Sequence, residues 1–502
     1  MSEQIQSFLL TTLELTAATF IFLVGLLVLL ILILYVIDVR QTKHAIRRNY
    51  PVIGRFRYLF EHLGEFFRQF FFAMDREEMP FNRAQRSWAY RAAKNLDNTI
   101  AFGSTRDLKP AGTVLFINCP YPTLDKDGIE SESVTIGPYS RSPYSATSIF
   151  NISAMSYGAI SRPAVLALSH GAKLAGCWLN TGEGGLSPYH LEGGADIVFQ
   201  IGTAKYGVRD KDGNLSKERL IEIANHDQVK MFELKLSQGA KPGKGGILPG
   251  AKVTGEIAKI RGIQEGQDSI SPNRHLDINN NTELLNTIES IKHVTGKPVG
   301  FKVVIGTNVW LDAMFEEILL RGMESAPDFI TVDSSEGGAG AAPMPLMDSV
   351  GLPLRESLPM LIDKLDEHGL RERIKVIASG KLVTPTDVAW ALCMGTDFVN
   401  SARGFMFSLG CIQALQCNKN NCPTGIATHN EQLQRGLAPE DKAFRVMHYA
   451  KNMMKEVGII AHSCGVKLPH QLKRHHCRAV NDRGISEPLD KLFPPANEDK
   501  QI

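Results

Sequence analysis

Apolar and polar residues are distributed along this chain in two regimes. From Leu15 to Ile37, "LTAATFIFLVGLLVLLILILYVI", no residue is charged. A helix of these 23 residues is about 34 Å long, enough to cross a bilayer core with some tilt. A cleaved leader would carry a shorter apolar run behind basic residues. Here Glu3 and Glu14 precede the run, and Arg40, Lys43, Arg47 and Arg48 follow it. That order predicts a single-pass membrane span with the C-terminal bulk on the cytoplasmic side. Beyond the span, "RYLFEHLGEFFRQFFFAMD" sets Phe and Leu at helical spacing, interrupted by Glu61, Glu65 and Arg68. Such a helix lies either on the membrane surface or against the main domain.

The second regime begins at Phe150, where short β-type runs alternate with helical stretches, the pattern of an α/β fold. Eight runs read as strands, from "FNISAMSYG" through "CWLNTGEGG", "DIVFQIG", "VKMFELKLSQG", "PVGFKVVIG", "DFITVDSSEGG" and "IKVIASGKL" to "DFVNSARGFM". Between them, "SRPAVLALSHGAKLAG", "NTELLNTIESIKHVTG", "VWLDAMFEEILLRG" and "TPTDVAWALCMG" read as helices. Eight such units predict a (β/α)8 TIM barrel, with the transmembrane helix and a helical N-terminal extension before it. A doubly wound open sheet fits less well, because no G-x-G-x-x-G follows the first strand. The expected organisation is a tail at 1–14, a transmembrane helix at 15–37, an extension at 38–146, the barrel at 147–430 and a helical C-terminal region at 431–502.

Charge and composition narrow the function. Lys and Arg total 55 against 53 Asp and Glu, so no global field favours nucleic acid. Eight irregularly spaced cysteines in 502 residues are not a secreted disulfide framework. Barrel enzymes place chemistry at the C-terminal strand ends, and those ends carry Ser156, Glu183, Gln200, Lys235, Lys302, Glu336 and Lys381. Any one of them alone is equally a solvated loop residue. Glycine clusters mark the same rim, and Ser379-Gly380-Lys381 and Ala402-Arg403-Gly404 follow strands seven and eight. Barrels commonly hold a phosphate there, so a phosphorylated cofactor is expected.

Three cysteines, Cys411, Cys417 and Cys422, stand at C-x5-C-x4-C spacing with Pro directly after the third. A structural zinc site normally needs four ligands, and a disulfide would leave one sulfur over. Three buried thiols are the plain alternative. "RHHC" near the C-terminus is a second metal-capable stretch, more simply a solvated basic turn.

In this order, "ISAMSYGAIS", "NTGEGG", "QIGTAKYGV", "LKLSQGAKPGKGGILPGAKV", "SISPNRHLDI", "EGGAGAAP" and "GCIQALQCNKNNCPTGIAT" resemble the FMN-binding synthase domain of glutamate synthases. The resemblance runs from about Asn151 to Thr428. It implies that Cys411, Cys417 and Cys422 are ligands of a [3Fe-4S] cluster, for which thiolates are apt. It implies FMN on the barrel rim, touched by Met155, Ser156 and their backbone, with Gln200 and Lys302 at the pyrimidine side. Gly338, Gly340, Gly380 and Gly404 would wrap the ribityl phosphate, with Lys381 and Arg403 as counter-charges. It further implies reduction of 2-iminoglutarate, made from 2-oxoglutarate and ammonia, to L-glutamate. Glu183, Lys235 and Lys241 would form the catalytic pocket.

Two positions depart from the family pattern Q-G-A-K-P-G-E-G-G-Q: Lys244 stands for Glu and Ile247 for Gln. In the glycine turn, Ala339 stands where Thr is usual. These changes keep open a different amino, amine or oxo acid, or a non-catalytic redox scaffold. The chain begins Met-Ser-Glu and runs into the span, so the expectation is that ammonia is free or comes from a separate glutaminase. Electrons are expected from a ferredoxin-like carrier, a reductase subunit or a membrane donor.

Overall fold

The computed structural model describes residues 3–495; residues 1–2 of the expected tail and 496–502 of the expected C-terminal region lie outside the described residues. The chain divides into two compact units, Met1–Ala84 and Gln85–Ile502.

In the first unit, α1 (Glu3–Arg40) continues the apolar run in both directions, so residues 3–14 are helical rather than a tail. It is long and apolar enough to cross a membrane. Two further helices follow, α2 (Ala45–Asn49) and α3 (Gly54–Phe67), the latter passing into a π-helical turn, Arg68–Phe72. Asp38 is the buried residue of α1. Its carboxylate accepts hydrogen bonds from Val52 N at 3.0 Å and from Arg55 Nε and Nη2 at 2.8 Å each.

In the second unit eight parallel strands close in sequential order. They are β1 (Phe150–Ile152), β2 (Leu179–Asn180), β3 (Ile197–Ile201), β4 (Val229–Lys235), β5 (Val299–Val303), β6 (Phe329–Asp333), β7 (Lys375–Ser379) and β8 (Phe398–Ser401). β8 closes the ring on β1, and β5 lies against β4 with Lys302 beside Lys235 in register. The four helices expected between strands form over Arg162–Ala175, Asn281–Thr295, Val309–Arg321 and Pro385–Cys393. Two details differ from the expectation. The run "RGFMFSL" is a helix, Arg403–Leu409, rather than the end of strand eight. Gly404–Leu409 are buried, and a continuous apolar run does not by itself separate a buried strand from a buried helix. The flanking regions are also not purely helical: Val114–Phe116 pairs antiparallel with Cys477–Val480, which pairs with Ser486–Pro488. Strands of three or four residues are too short to display a period of two.

A hairpin, Val134–Ile136 with Tyr144–Ala146, stoppers the N-terminal end of the barrel. Ile136 and Ala146 join Trp178, Val198, Met231, Phe329, Ile377 and Phe398 in one core. Tyr144 Oη donates to Asp196 Oδ2 at 2.9 Å, which fixes the hairpin's orientation. The opposite end is therefore the one left open. Ile136 is fully buried, so Ile136→Ala is expected to cost about 2–5 kcal/mol. A thermal melt of the full chain should show a lowered midpoint, whereas exposed Thr135→Ala should move it little.

Candidate active site

Inside the barrel mouth the strands carry polar groups that satisfy one another. Glu233 on β4 is 1 % exposed. It accepts hydrogen bonds from Asn180 Nδ2 (2.8 Å), Gln200 Nε2 (2.7 Å) and Thr331 Oγ1 (2.7 Å), each on a different strand. Asp333 ends β6 and accepts from Ser379 Oγ at 2.8 Å and Gly239 N at 2.9 Å. Lys302 Nζ lies 3.1 Å from Asp333 Oδ2. Burial works against the Lys302 charge, but Asp333, Glu233 and Glu183 outweigh it and raise its pKa.

Above this layer the strand ends open on a cleft. Met155 and Ser156 border it after β1, Glu183 after β2, Gln200 on β3, Lys235 at the end of β4 and Lys302 on β5. Lys241, Gly338, Gly340, Arg403 and Cys417 complete the expected residues that line it. Glu336 is an exposed loop residue. Gly380, Lys381 and Gly404 do not border the cleft. A Cβ on Gly404 would lie 2.0 Å from the Tyr449 hydroxyl, so this glycine serves close packing against the helix Pro439–Ser463.

Glu183 and Lys235 form an ion pair at 3.0 Å, and Lys235 Nζ also donates to Gln238 Oε1 at 2.7 Å. Burial alone would raise the Glu183 carboxyl, but Lys235, Lys241 and Arg261 hold it below its ordinary value, so it is ionised. Lys241 is pushed down to about 8 by burial and by Lys235, with Glu183 opposing. A short ribbon, Ile247–Leu248 with Ser269–Ile270, adjoins Glu183. A Cβ on Gly246 would fall 2.3 Å from Glu183 Oε1, so only glycine permits that approach. Of the two departures in this block, Ile247 lines the cleft whereas Lys244 is exposed and outside it.

Four residues with a part in this site were not singled out by sequence. Glu233 and Asp333 orient Gln200 and Lys302; the signal was a carboxylate at or near the C-terminal end of a barrel strand. Arg261 borders the cleft, and its buried Nε has no hydrogen-bond partner among the described residues. Lys252 is 2 % exposed, and its Nζ donates to Ala159 O at 2.5 Å and Cys417 O at 3.3 Å.

The cysteine loop follows the helix Arg403–Leu409. Burial pushes the Cys411 thiol up, with Arg403 opposing. Burial also pushes Cys422 up, but the Thr424 hydroxyl and the amides of Ala427, Thr424 and Ile426 outweigh it, and the net shift is down. Arg403 Nη2 donates to Ala339 O at 2.7 Å while Nη1 lies 3.9 Å from Cys417 Sγ, so it links the glycine turn to the cysteine loop. Tyr90 Oη donates to Cys411 O at 2.5 Å.

A closed parallel barrel whose open end gathers cations around an ionised carboxylate has the layout of the active end of a barrel enzyme. Residues 123–467 match the family described as "Conserved region in glutamate synthase", and the chain belongs to this glutamate synthase family of oxidoreductases. "Glutamate synthase large subunit-like protein YerD" of Bacillus subtilis (strain 168) is 40 % identical over 514 residues, covering 94 % of this chain and 97 % of that protein. "Archaeal glutamate synthase (NADPH)" of Methanocaldococcus jannaschii is 36 % identical over 339 residues, 67 % of this chain and 62 % of its own length. "Archaeal-type glutamate synthase (NADPH)" of Thermotoga maritima is 33 % identical, with 69 % and 65 % covered. The chain thus spans under two thirds of these archaeal-type relatives. Among solved structures, a mandelate oxidase with (S)-4-hydroxymandelic acid overlays at TM-score 0.46 and 14 % identity, covering 78 % of this chain and 98 % of that one.

With burial pushing the Lys241 ammonium down to about 8, its charge is present below that pH and lost above it. Affinity of the cleft for a small dicarboxylate, measured by calorimetry across this range, is expected to fall as pH rises through about 8. Lys241→Met should weaken binding at neutral pH about tenfold and flatten that step.

Proposed function

We propose that the protein is a membrane-anchored glutamate synthase-type oxidoreductase. It reduces 2-iminoglutarate, formed from 2-oxoglutarate and ammonia, to L-glutamate with electrons from an external carrier. The observation that carries this reading is that one cleft is lined both by Glu183, Lys235 and Lys241 and by Cys417 with Arg403. Two lysines with a carboxylate and a thiol-bearing loop therefore face the same space.

The residues present fit both expected cofactors. For FMN, the cleft offers a buried cation in Lys302, an amide in Gln200 held by Glu233, and the backbone of Gly338 and Gly340. For a [3Fe-4S] cluster, Cys411, Cys417 and Cys422 supply three sulfurs, and amide donors already favour the thiolate of Cys422. When bound, FMN supplies hydride chemistry and the cluster supplies single electrons. Lys235, Lys241 and Arg261 bind carboxylate oxygens by charge-assisted hydrogen bonds. Ionised Glu183 accepts a hydrogen bond from the nitrogen of the imine and orients it. Lys302, kept charged by Asp333 and Glu233, stabilises negative charge that develops beside it. The helix α1 tethers the catalytic unit on the cytoplasmic side. A ferredoxin-like carrier or reductase subunit is the electron source, and a separate glutaminase or free ammonia is the nitrogen source.

The test is purified, cofactor-loaded protein given 2-oxoglutarate, ammonium and a reduced one-electron carrier. Ammonia-dependent glutamate is the expected product, and its absence overturns the assignment. Cys417→Ser should remove the iron and the carrier-driven rate while leaving bound flavin. Ile247 on the cleft wall favours a second reading, a different oxo acid with a more apolar side chain. Under the first reading, Ile247→Gln changes kcat/KM for 2-oxoglutarate by less than about tenfold. Under the second it creates that activity. Lys244→Glu, outside the cleft, should have no effect under either.

A further inference from the structure

Among the described residues, α3 presents an exposed aromatic face. At 100° per residue, Phe56, Leu59, Phe60, Leu63 and Phe67 fall within an arc of about 100°. Phe56, Leu59, Phe60 and Phe67 are exposed, and the following turn adds Phe71 and Phe72, each 74 % exposed. Phe56 stacks on Phe60 and Phe67 leans on Phe71, so the stripe is a continuous apolar surface along the helix. Arg57 and Glu61, 3.9 Å apart and exposed, lie off this stripe.

Three contacts on other faces of α3 hold it to the chain before it, one to the end of α1 and two to α2 and its N-cap. Arg55 forks onto Asp38. Tyr58 meets His44 edge-on at a centroid distance of 5.3 Å and carries the Arg47 guanidinium at 4.7 Å from its ring centre. Gly54 sits where a Cβ would fall 2.8 Å from Ile46 O, a separation that no side chain allows. All three pins stand away from the aromatic arc. The bidentate Asp38–Arg55 pair joins the first residue beyond the apolar run to the second residue of α3.

We propose that α3 and its π-helical continuation form an interfacial helix lying on the bilayer that α1 crosses, with the Phe56–Phe72 stripe among the lipid headgroups and upper acyl chains. This rests on the reading of α1 as a membrane span. The occupant is lipid rather than protein for reasons of chemistry and continuity. The stripe begins within one short helix of the end of α1, and that junction carries exposed Arg40, Lys43 and Arg48, which suit anionic headgroups. Aromatic side chains over a helix with a charged reverse face are the composition that an interface stabilises. The Asp38–Arg55 clasp then has a role: it turns the chain from crossing the bilayer to lying along it.

The test uses the full chain reconstituted into phosphatidylcholine–phosphatidylglycerol vesicles. The four native tryptophans all lie beyond Ala84, so an introduced tryptophan is read as the difference from the parent. In vesicles brominated at the upper acyl carbons, Phe60→Trp and Phe71→Trp should lose about half or more of the added emission. Glu61→Trp, on the reverse face, should keep most of its emission and be quenched by aqueous acrylamide. In Phe60→Trp, adding Asp38→Asn or Tyr58→Ala should restore emission by releasing the clasp. Retention of the protein in vesicles after alkaline carbonate is measured alongside. Loss of retention overturns both the span and the interfacial helix. Retention with Phe60→Trp quenched by acrylamide, or shielded from acrylamide and bromine alike by protein, overturns the interfacial helix alone.

Discussion

A lysine and two carboxylates share the mouth of the barrel: Lys302, Asp333 and Glu233 are all buried. Removing one partner of such a set leaves an uncompensated charge, which is far costlier than never having built the set. Glu233 gathers side chains from β2, β3 and β6, while Asp333 gathers β7, β5 and the loop after β4. The network therefore couples six strands at the level where the cleft begins. Gln200 and Lys302 are placed by the barrel itself rather than by loops, and that rigidity is what a cofactor ring and a small substrate both require.

The loops above complete the site by a different device. Gly246 brings backbone against Glu183, Arg403 joins the glycine turn to Cys417, and Lys252 reaches across to carbonyls of two separate loops. Tyr90, from the segment before the barrel, holds the carbonyl of Cys411. The extension is thus structural to the cysteine loop, and the hairpin at Val134–Ala146 is structural to the barrel floor. Chemistry and stability are segregated to opposite ends of one cylinder, as in other barrels.

Within the first unit, the same physics works at smaller scale. Asp38 is a charge placed immediately after an uncharged run of 23 residues, and it is tolerated because Arg55 and the amide of Val52 satisfy it. A forked ion pair with its carboxylate buried defines geometry more than it adds stability, and here the geometry defined is the turn between α1 and α3.

By itself, the sequence determined what is local. Strand and helix periods announced eight alternating units, the apolar run announced a helix able to span a bilayer, and the cysteine spacing and glycine blocks announced the family. Tertiary structure decided the rest, because it concerns partners far apart in the chain. Which carboxylate neutralises Lys302, that Arg261 reaches the cleft while Lys244 does not, and that Gly404 packs on Tyr449 away from the cleft depend on loops meeting in space. The three-residue strands that cap the barrel were equally invisible. A period needs several residues to show itself, and a contact between Tyr90 and Cys411 leaves no mark on either neighbourhood of the sequence.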